Sequence, residues 1–102
     1  LSTATSRPAA DRIICDAGFK AAGKGAPDPE LMGSGIPYSV SFSAEHGVIT
    51  LSQEVLQPRV GDTIEFVPGY SDAVIFLHDY LYAIRDGFVE TIWPIIGRGK
   101  LQ

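Results

Sequence analysis

A chain of 102 residues can enclose one hydrophobic core and is too short for two domains. Hydrophobic residues make up 45% of it, enough apolar surface to offset the conformational entropy lost on folding, so a disordered chain is excluded. The net charge of -4 comes from 12 acidic and 8 basic residues without a basic cluster, which excludes binding to the phosphate backbone of nucleic acids.

The sequence predicts a cytoplasmic piece of a longer protein. The longest apolar run, 73–77, is far shorter than the roughly 20 residues that span a bilayer, so no membrane segment is expected. The opening "LSTATSRPAAD" lacks the apolar region of a secretory signal, and the absence of an initial methionine suggests a fragment. The single cysteine, Cys15, is flanked by isoleucine, which predicts a buried thiol in a reducing compartment.

The elements predicted in chain order are mostly short strands, each rich in β-branched or aromatic residues and bounded by turn formers. They lie at 12–16, 38–45, 47–52, 62–67 and 73–77. The clearest is 38–45, where Tyr38, Val40 and Phe42 alternate with serine residues. In 80–93, Asp86-Gly87 supplies the positive φ angles of a tight hairpin turn. The pattern predicts an all-β domain, a small barrel or sandwich of about six to eight short strands.

Residues 21–37, "AAGKGAPDPELMGSGIP", are too rich in glycine and proline for a helix or a sheet ladder and predict a long loop. Loops of this length are uncommon in compact domains without a purpose. Two interpretations are open: a mobile surface connection, which we favour slightly, and a flap against another domain or subunit.

Few residues carry chemistry by pattern alone. No G-x-S-x-G elbow and no phosphate-binding loop occur. His46, Asp72, His78 and Asp79 offer nitrogen and oxygen ligands that suit zinc or manganese, although such residues are common in any domain of this size. From the residues alone, the sequence predicts a soluble β domain without an assigned activity.

Five segments in register resemble the C-terminal β domain of the D-threonine aldolase and eukaryotic-type D-serine dehydratase family. They are "SRPAADRIICDAGFKA", "EHG", "VGDTIEFVPGYSDAVIFLHD", "YAIRDGFVETIWPI" and "GRGK", which together run from Ser6 to Lys100. The resemblance identifies residues 1–102 as this single domain, a fragment of a larger enzyme.

The resemblance implies a pyridoxal phosphate-dependent lyase of the alanine racemase-like fold type. In this family an N-terminal barrel of the same polypeptide binds the cofactor through a lysine, and that barrel is absent from this sequence. Lys20, Lys24 and Lys100 do not stand in the motif of the cofactor lysine, so the isolated chain is expected to be inactive. The implied partners are that barrel, a second subunit in a homodimer and a small D-amino acid substrate.

The family's β domain contributes a metal site through a "P-x-H-x-[CD]" motif, and here "PGYSD" stands in its place. Tyr70 falls where the family has a metal-binding histidine, and Asp72 where it has cysteine or aspartate. A neutral phenol is a poorer ligand than imidazole at neutral pH, so a divalent metal is placed in doubt. Tyr70 and Asp72 are the implied catalytic residues, with Asp72 as a candidate metal ligand and His78 and His46 lining the site.

Two functions of different class remain open. In the first, the parent protein is a divergent pyridoxal phosphate enzyme, and Tyr70 and Asp72 face the cofactor as acid/base groups or altered ligands. In the second, the domain is a structural or dimerisation module whose metal site has degenerated, and 73–77 is an apolar strand. The spacing of "VGD", "LHD" and "RDG" is similar to that of the family, and this resemblance favours the enzyme domain.

Overall fold

A computed structural model of the protein describes residues 1–25 and 27–100. Within those ranges the chain is mostly strand, with two short helices, which confirms the predicted all-β class. The strands are β1 (Ser2–Ala9), β2 (Arg12–Cys15), β3 (Glu30–Leu31), β4 (Tyr38–Phe42), β5 (Gly47–Leu51), β6 (Thr63–Ile64), β7 (Phe66–Val67), β8 (Tyr80–Arg85) and β9 (Phe88–Pro94), and the helices are α1 (Phe19–Ala22) and α2 (Ser71–Ile75).

Five of these strands form one antiparallel sheet in the order β4-β5-β2-β1-β6, which curls into a half-barrel. β3 pairs with β7, and β8 pairs with β9, in two further two-stranded sheets. Neither described helix is long and apolar enough to cross a lipid bilayer.

The core is small and lies on one face of the main sheet. Ile13 on β2 is the direct cross-strand partner of Ile49 on β5, and both side chains are almost completely buried. Alternation along β5 buries every second residue, as a sheet with one covered face requires. Cys15 is fully buried beside them, which confirms the prediction for its thiol.

Strand β1 was not predicted from the sequence, because "STATSRPA" contains no large apolar residue. Its inward positions are instead the small residues Ser2 and Ala4, both buried. The Ser2 hydroxyl and the Thr3 backbone N–H each donate a hydrogen bond of 2.7 Å to Oδ1 of Asp16. These hydrogen bonds, led by that from Thr3, lower the pKa of the Asp16 carboxyl below its usual value.

The segment 62–67, predicted as one strand, divides into two at Glu65. Ile64 is buried in the main sheet, where β6 pairs with β1. Phe66, two residues later, pairs with Leu31 on β3 in a different sheet. The backbone therefore passes from the main sheet to the β3–β7 sheet at Glu65. Tyr70 follows three residues after the end of β7.

The prediction of a strand at 73–77 is wrong. Residues Ser71–Ile75 form α2, and a further turn follows in which the Leu77 and His78 N–H groups donate to the carbonyls of Val74 and Ile75. Ala73, Val74 and Leu77 are partly buried on one side of this helical segment, whereas Ile75 and Phe76 are exposed. The β-propensity of Val74, Ile75 and Phe76 therefore does not decide the local structure here.

The predicted hairpin at 80–93 is confirmed as β8 and β9. Asp86 and Gly87 both have positive φ angles, 51° and 79°, as a two-residue turn of the primed type requires. A bulge in β9 near Glu90 shifts the register between Ala83 and Ile84. Every residue of β9 and nearly every residue of β8 is exposed, so the hairpin projects from the half-barrel.

Candidate active site

Tyr70 lies at the start of α2, in extended backbone with φ -137° and ψ 103°. Its side chain is 53% exposed and lines a surface depression of about 350 Å³. The described residues that line this depression are Ala22, Gly23, Lys24, Gly25, Pro27, Asp28, Pro29, Val40, Ser41, Phe42, Gly69, Tyr70 and Ala73. A phenol therefore faces a cleft whose opposite wall is the segment after α1.

That segment is held against the Tyr70 turn by backbone contacts. A Cβ atom added at Gly69 would lie 1.7 Å from the carbonyl oxygen of Pro27, and one added at Gly23 would lie 2.7 Å from that of Ala73. Approaches this close are open only to glycine. The predicted loop at 21–37 is thus packed against the Tyr70 turn at Gly23 and at Pro27. The interpretation of the loop as a mobile surface connection does not fit these two positions.

Lys24 lines the same depression as Tyr70, a role that the sequence did not indicate. Its Nζ atom lies 5.8 Å from the centroid of the Phe19 ring, within range of a cation–π contact. Asp28 contributes a carboxylate to the same wall. The residues lining the depression thus include a cationic donor, an anionic acceptor and a phenol, the groups that suit a small zwitterion.

Asp72 lies in the first turn of α2, and its side chain is exposed. It is not among the described residues that line the depression with Tyr70. Residues two apart at the start of a helix point in different directions, because each residue rotates the chain by about 100°. The two predicted catalytic residues are therefore two positions apart in the chain, but only Tyr70 lines the depression.

His78 makes a contact within the domain. Its Nε2 atom donates to the backbone carbonyl of Ala21 at 2.7 Å, which ties the segment after α2 to α1. The next residue, Asp79, is paired with Arg98, whose guanidinium also donates to the Phe76 carbonyl at 2.5 Å. His78 thus supports the wall of the depression from behind and does not line it.

His46 lies in the turn between β4 and β5, where its backbone carbonyl accepts hydrogen bonds from the N–H and hydroxyl of Ser43. Its neighbour Glu45 forms an exposed ion pair with Lys20, and the hydrogen bond from that ammonium lowers the pKa of the Glu45 carboxyl. The predicted site-lining residue His46 is not placed in the Tyr70 depression.

The described residues do not fit a metal site supplied by this chain alone. Across 1–25 and 27–100, no three His, Cys, Asp or Glu side chains are grouped closely enough to hold a metal ion. A divalent ion bound by protein normally requires at least three such donors. If a metal ion binds at Asp72, its other ligands must come from outside the described residues of this chain.

A second, larger groove of about 1150 Å³ lies beside the core of the main sheet, with Ile13, Ile49 and Ile64 in its lining. Its described lining is mainly apolar and comprises Ile13, Leu31, Met32, Gly33, Ser34, Ile36, Ile49, Leu51, Val55, Leu56, Gln57, Pro58, Asp62, Thr63, Ile64 and Glu65. The predicted site residues all lie outside it, so it adds nothing to the chemistry of Tyr70.

Comparison with known proteins places this half-barrel and its Tyr70 turn in a defined family. The profile of the family described as "Putative serine dehydratase domain" matches residues 1–84. The chain therefore belongs to the serine dehydratase domain family, which confirms the resemblance found in the sequence.

Individual relatives agree with that assignment. D-threonine aldolase from Arthrobacter sp is 39% identical over 100 residues, covering 97% of this chain and 26% of the relative. 3-Hydroxy-D-aspartate aldolase from Paracoccus denitrificans is 37% identical over 87 residues, covering 85% of this chain and 22% of the relative. The chain thus spans about a quarter of the length of these relatives.

A solved structure shares the fold. The crystal structure of D-threonine aldolase from Filomicrobium marinum superposes with a TM-score of 0.87 at 28% sequence identity. The match covers 99% of this chain and 28% of that one. Almost the whole fold described above is therefore present as one part of a much larger protein.

Proposed function

We propose that this chain is the C-terminal β domain of a longer pyridoxal phosphate-dependent lyase that acts on a small D-amino acid. The observation that supports this most directly is the match of nearly the whole chain to D-threonine aldolase at 39% identity, over only about a quarter of that relative. The activity is of the D-threonine aldolase or D-serine dehydratase type, in a cytoplasmic homodimer.

The cofactor is bound by the N-terminal barrel of the same polypeptide. When bound, pyridoxal phosphate supplies an electron sink for breaking bonds at the substrate Cα. Lys20, Lys24 and Lys100 do not stand in the family's motif for the cofactor lysine, so that lysine is assigned to the barrel.

The contribution of this domain is to bind and orient the substrate at the Tyr70 depression. In dehydration the phenol of Tyr70 donates its proton to the departing β-hydroxyl, which leaves as water; in aldol cleavage its phenolate form takes the proton of that hydroxyl as the Cα–Cβ bond breaks and the aldehyde leaves. The ammonium of Lys24 attracts a substrate carboxylate. Asp72, exposed on the next turn, is an acid/base group or a single metal ligand. No step is assigned to a metal, because the described donors do not form a set that holds one.

The size of the native polypeptide tests the first part of this proposal. We expect an antibody raised against this domain to detect a protein several times heavier than 10.9 kDa in the source cells. The purified protein should bind pyridoxal phosphate and cleave or dehydrate D-threonine, 3-hydroxy-D-aspartate or D-serine, but not their L enantiomers. A band at the size of the domain itself would refute the enzyme assignment.

The role of Tyr70 is tested by Tyr70→Phe in the full-length enzyme, which removes only the hydroxyl. We expect kcat to fall by roughly 100-fold to 10,000-fold, as for loss of a general acid or base. Ser71→Ala, at an exposed position in the same turn, is the matched control and should retain activity. Unchanged turnover in Tyr70→Phe, with intact activity in Asp72→Ala, would favour the structural or dimerisation module instead.

A further inference from the structure

One face of the β8–β9 hairpin is uncharged and open to solvent. Three residues of β8, Tyr80, Tyr82 and Ile84, are the direct cross-strand partners of Pro94, Ile92 and Val89 on β9, so all six share a face. We call this set the hairpin apolar face. Apart from the exposed Pro94, its members have between 49% and 59% of their surface exposed.

The opposite face of the same hairpin is mixed in character. It carries the pairs Leu81 with Trp93, Ala83 with Thr91 and Arg85 with Phe88, and Arg85 Nε forms an ion pair with Glu90 Oε1 at 3.1 Å. This second face therefore combines exposed apolar side chains, among them Phe88 and Trp93, with an ion pair. Only the hairpin apolar face lacks a charged side chain, so it is the face whose burial leaves no charge without a partner.

The hairpin cannot cover this face by itself. Among the strands that the structure describes, β8 and β9 pair only with each other, and an isolated two-stranded hairpin is marginally stable in water. Three aromatic or large aliphatic pairs, each half exposed, present on the order of 500 Å² of apolar surface. Patches of that size on soluble proteins are commonly binding surfaces.

We propose that the hairpin apolar face is an interdomain surface, buried against a part of the same polypeptide that lies outside these 102 residues. Relatives matched along nearly this whole chain are about four times as long, so they contain ample further protein. The absence of charge on the face requires a cover that is also apolar. This inference rests on the proposed function in one respect, that the chain is a domain of a longer protein.

Site-specific photocrosslinking of the full-length protein tests this surface. Tyr82 is replaced by p-benzoylphenylalanine, and Thr91, on the opposite face of the same hairpin, is replaced in the same way as the matched control. After irradiation, we expect the Tyr82 position to link within one polypeptide to a segment outside residues 1–102, at least fivefold more than the Thr91 position. Ile92, the cross-strand partner of Tyr82, provides a second position should the first variant fail to fold.

Four results would overturn the inference. A product of doubled mass would show that a second copy covers the face, and a link to residues within 1–102 would show that the hairpin folds back on its own domain. Equal or absent crosslinking at the two positions would show that the face is uncovered. A native polypeptide of only 102 residues would leave no segment to cover it. Lyase activity is measured on the same preparation, so failure of the proposed reaction is seen separately from failure of the docking surface.

Discussion

The close approach of Gly69 to Pro27 permits a quantitative prediction about how the Tyr70 depression is built. In Gly69→Ala, the added methyl group would lie 1.7 Å from the Pro27 carbonyl oxygen and 3.1 Å from that of Asp28. Both obstacles are backbone atoms, so no side-chain rotation relieves the contact. The two segments must separate by more than about 1 Å to reach normal van der Waals distance.

Overpacking of this kind costs about 1–3 kcal/mol. With a urea dependence of about 1 kcal/mol per molar, which is usual for a small domain, the unfolding midpoint should fall by roughly 1–3 M. Chemical unfolding followed by circular dichroism measures the change. In the full-length enzyme, the same variant should raise KM, because the wall that carries Lys24 moves away from Tyr70.

Gly25→Ala is the matched control for this prediction. It adds the same methyl group to the same loop, but the nearest atoms, on the Tyr70 side chain, are 3.8 Å away in ordinary contact. Its free energy of unfolding should stay within about 0.5 kcal/mol of that of the parent. Equal stability of Gly69→Ala and Gly25→Ala would refute the packing of the loop against the Tyr70 turn.

Three further predictions concern the half-barrel. Ile49→Ala should lower the free energy of unfolding by about 2–5 kcal/mol, because it empties part of the core. Ile96→Ala, at a position 86% exposed, is the control and should change that free energy little. Equal losses for the two variants in a urea titration would contradict the assigned core. Because hydrogen bonds lower the pKa of Asp16 in the folded state, its contribution to stability is present above pH 3.8 and is lost as the pH falls below it. Asp16→Asn should therefore show a weaker fall in Tm at acid pH, and parallel profiles would count against this role. Cys15, which is fully buried, should react with a thiol reagent only on unfolding, and rapid labelling of the native protein would be inconsistent with its position.

The parts of the fold that the sequence predicts are those where one local rule dominates. Tyr38, Val40 and Phe42 alternate with serine, and the observed β4 follows that alternation. Asp86-Gly87 defines its hairpin because few other residue pairs adopt two positive φ angles in succession. Both features depend on neighbours in the chain, which a single sequence contains.

The features that were missed depend on contacts distant in the chain. β1 has no large apolar residue, and its burial follows from lying between β2 and β6. The segment after Tyr70 contains Val74 and Ile75 yet forms α2, since β-propensity depends on packing that a single sequence does not show. Within the candidate site, the resemblance indicated Tyr70 and Asp72, but only the structure brings Lys24 into the same depression and joins His78 to Ala21.

The position of β1 inside the main sheet has a consequence for the order of folding. β1 pairs with β2 through a short turn, and β4 pairs with β5 in the same way, so these two hairpins can form early from local contacts. The pairing of Ser2 with Ile64 must instead close a loop that contains most of the domain, at a large entropic cost. We therefore expect the docking of β6 to be a late event, after which the backbone can turn at Glu65 and position Tyr70.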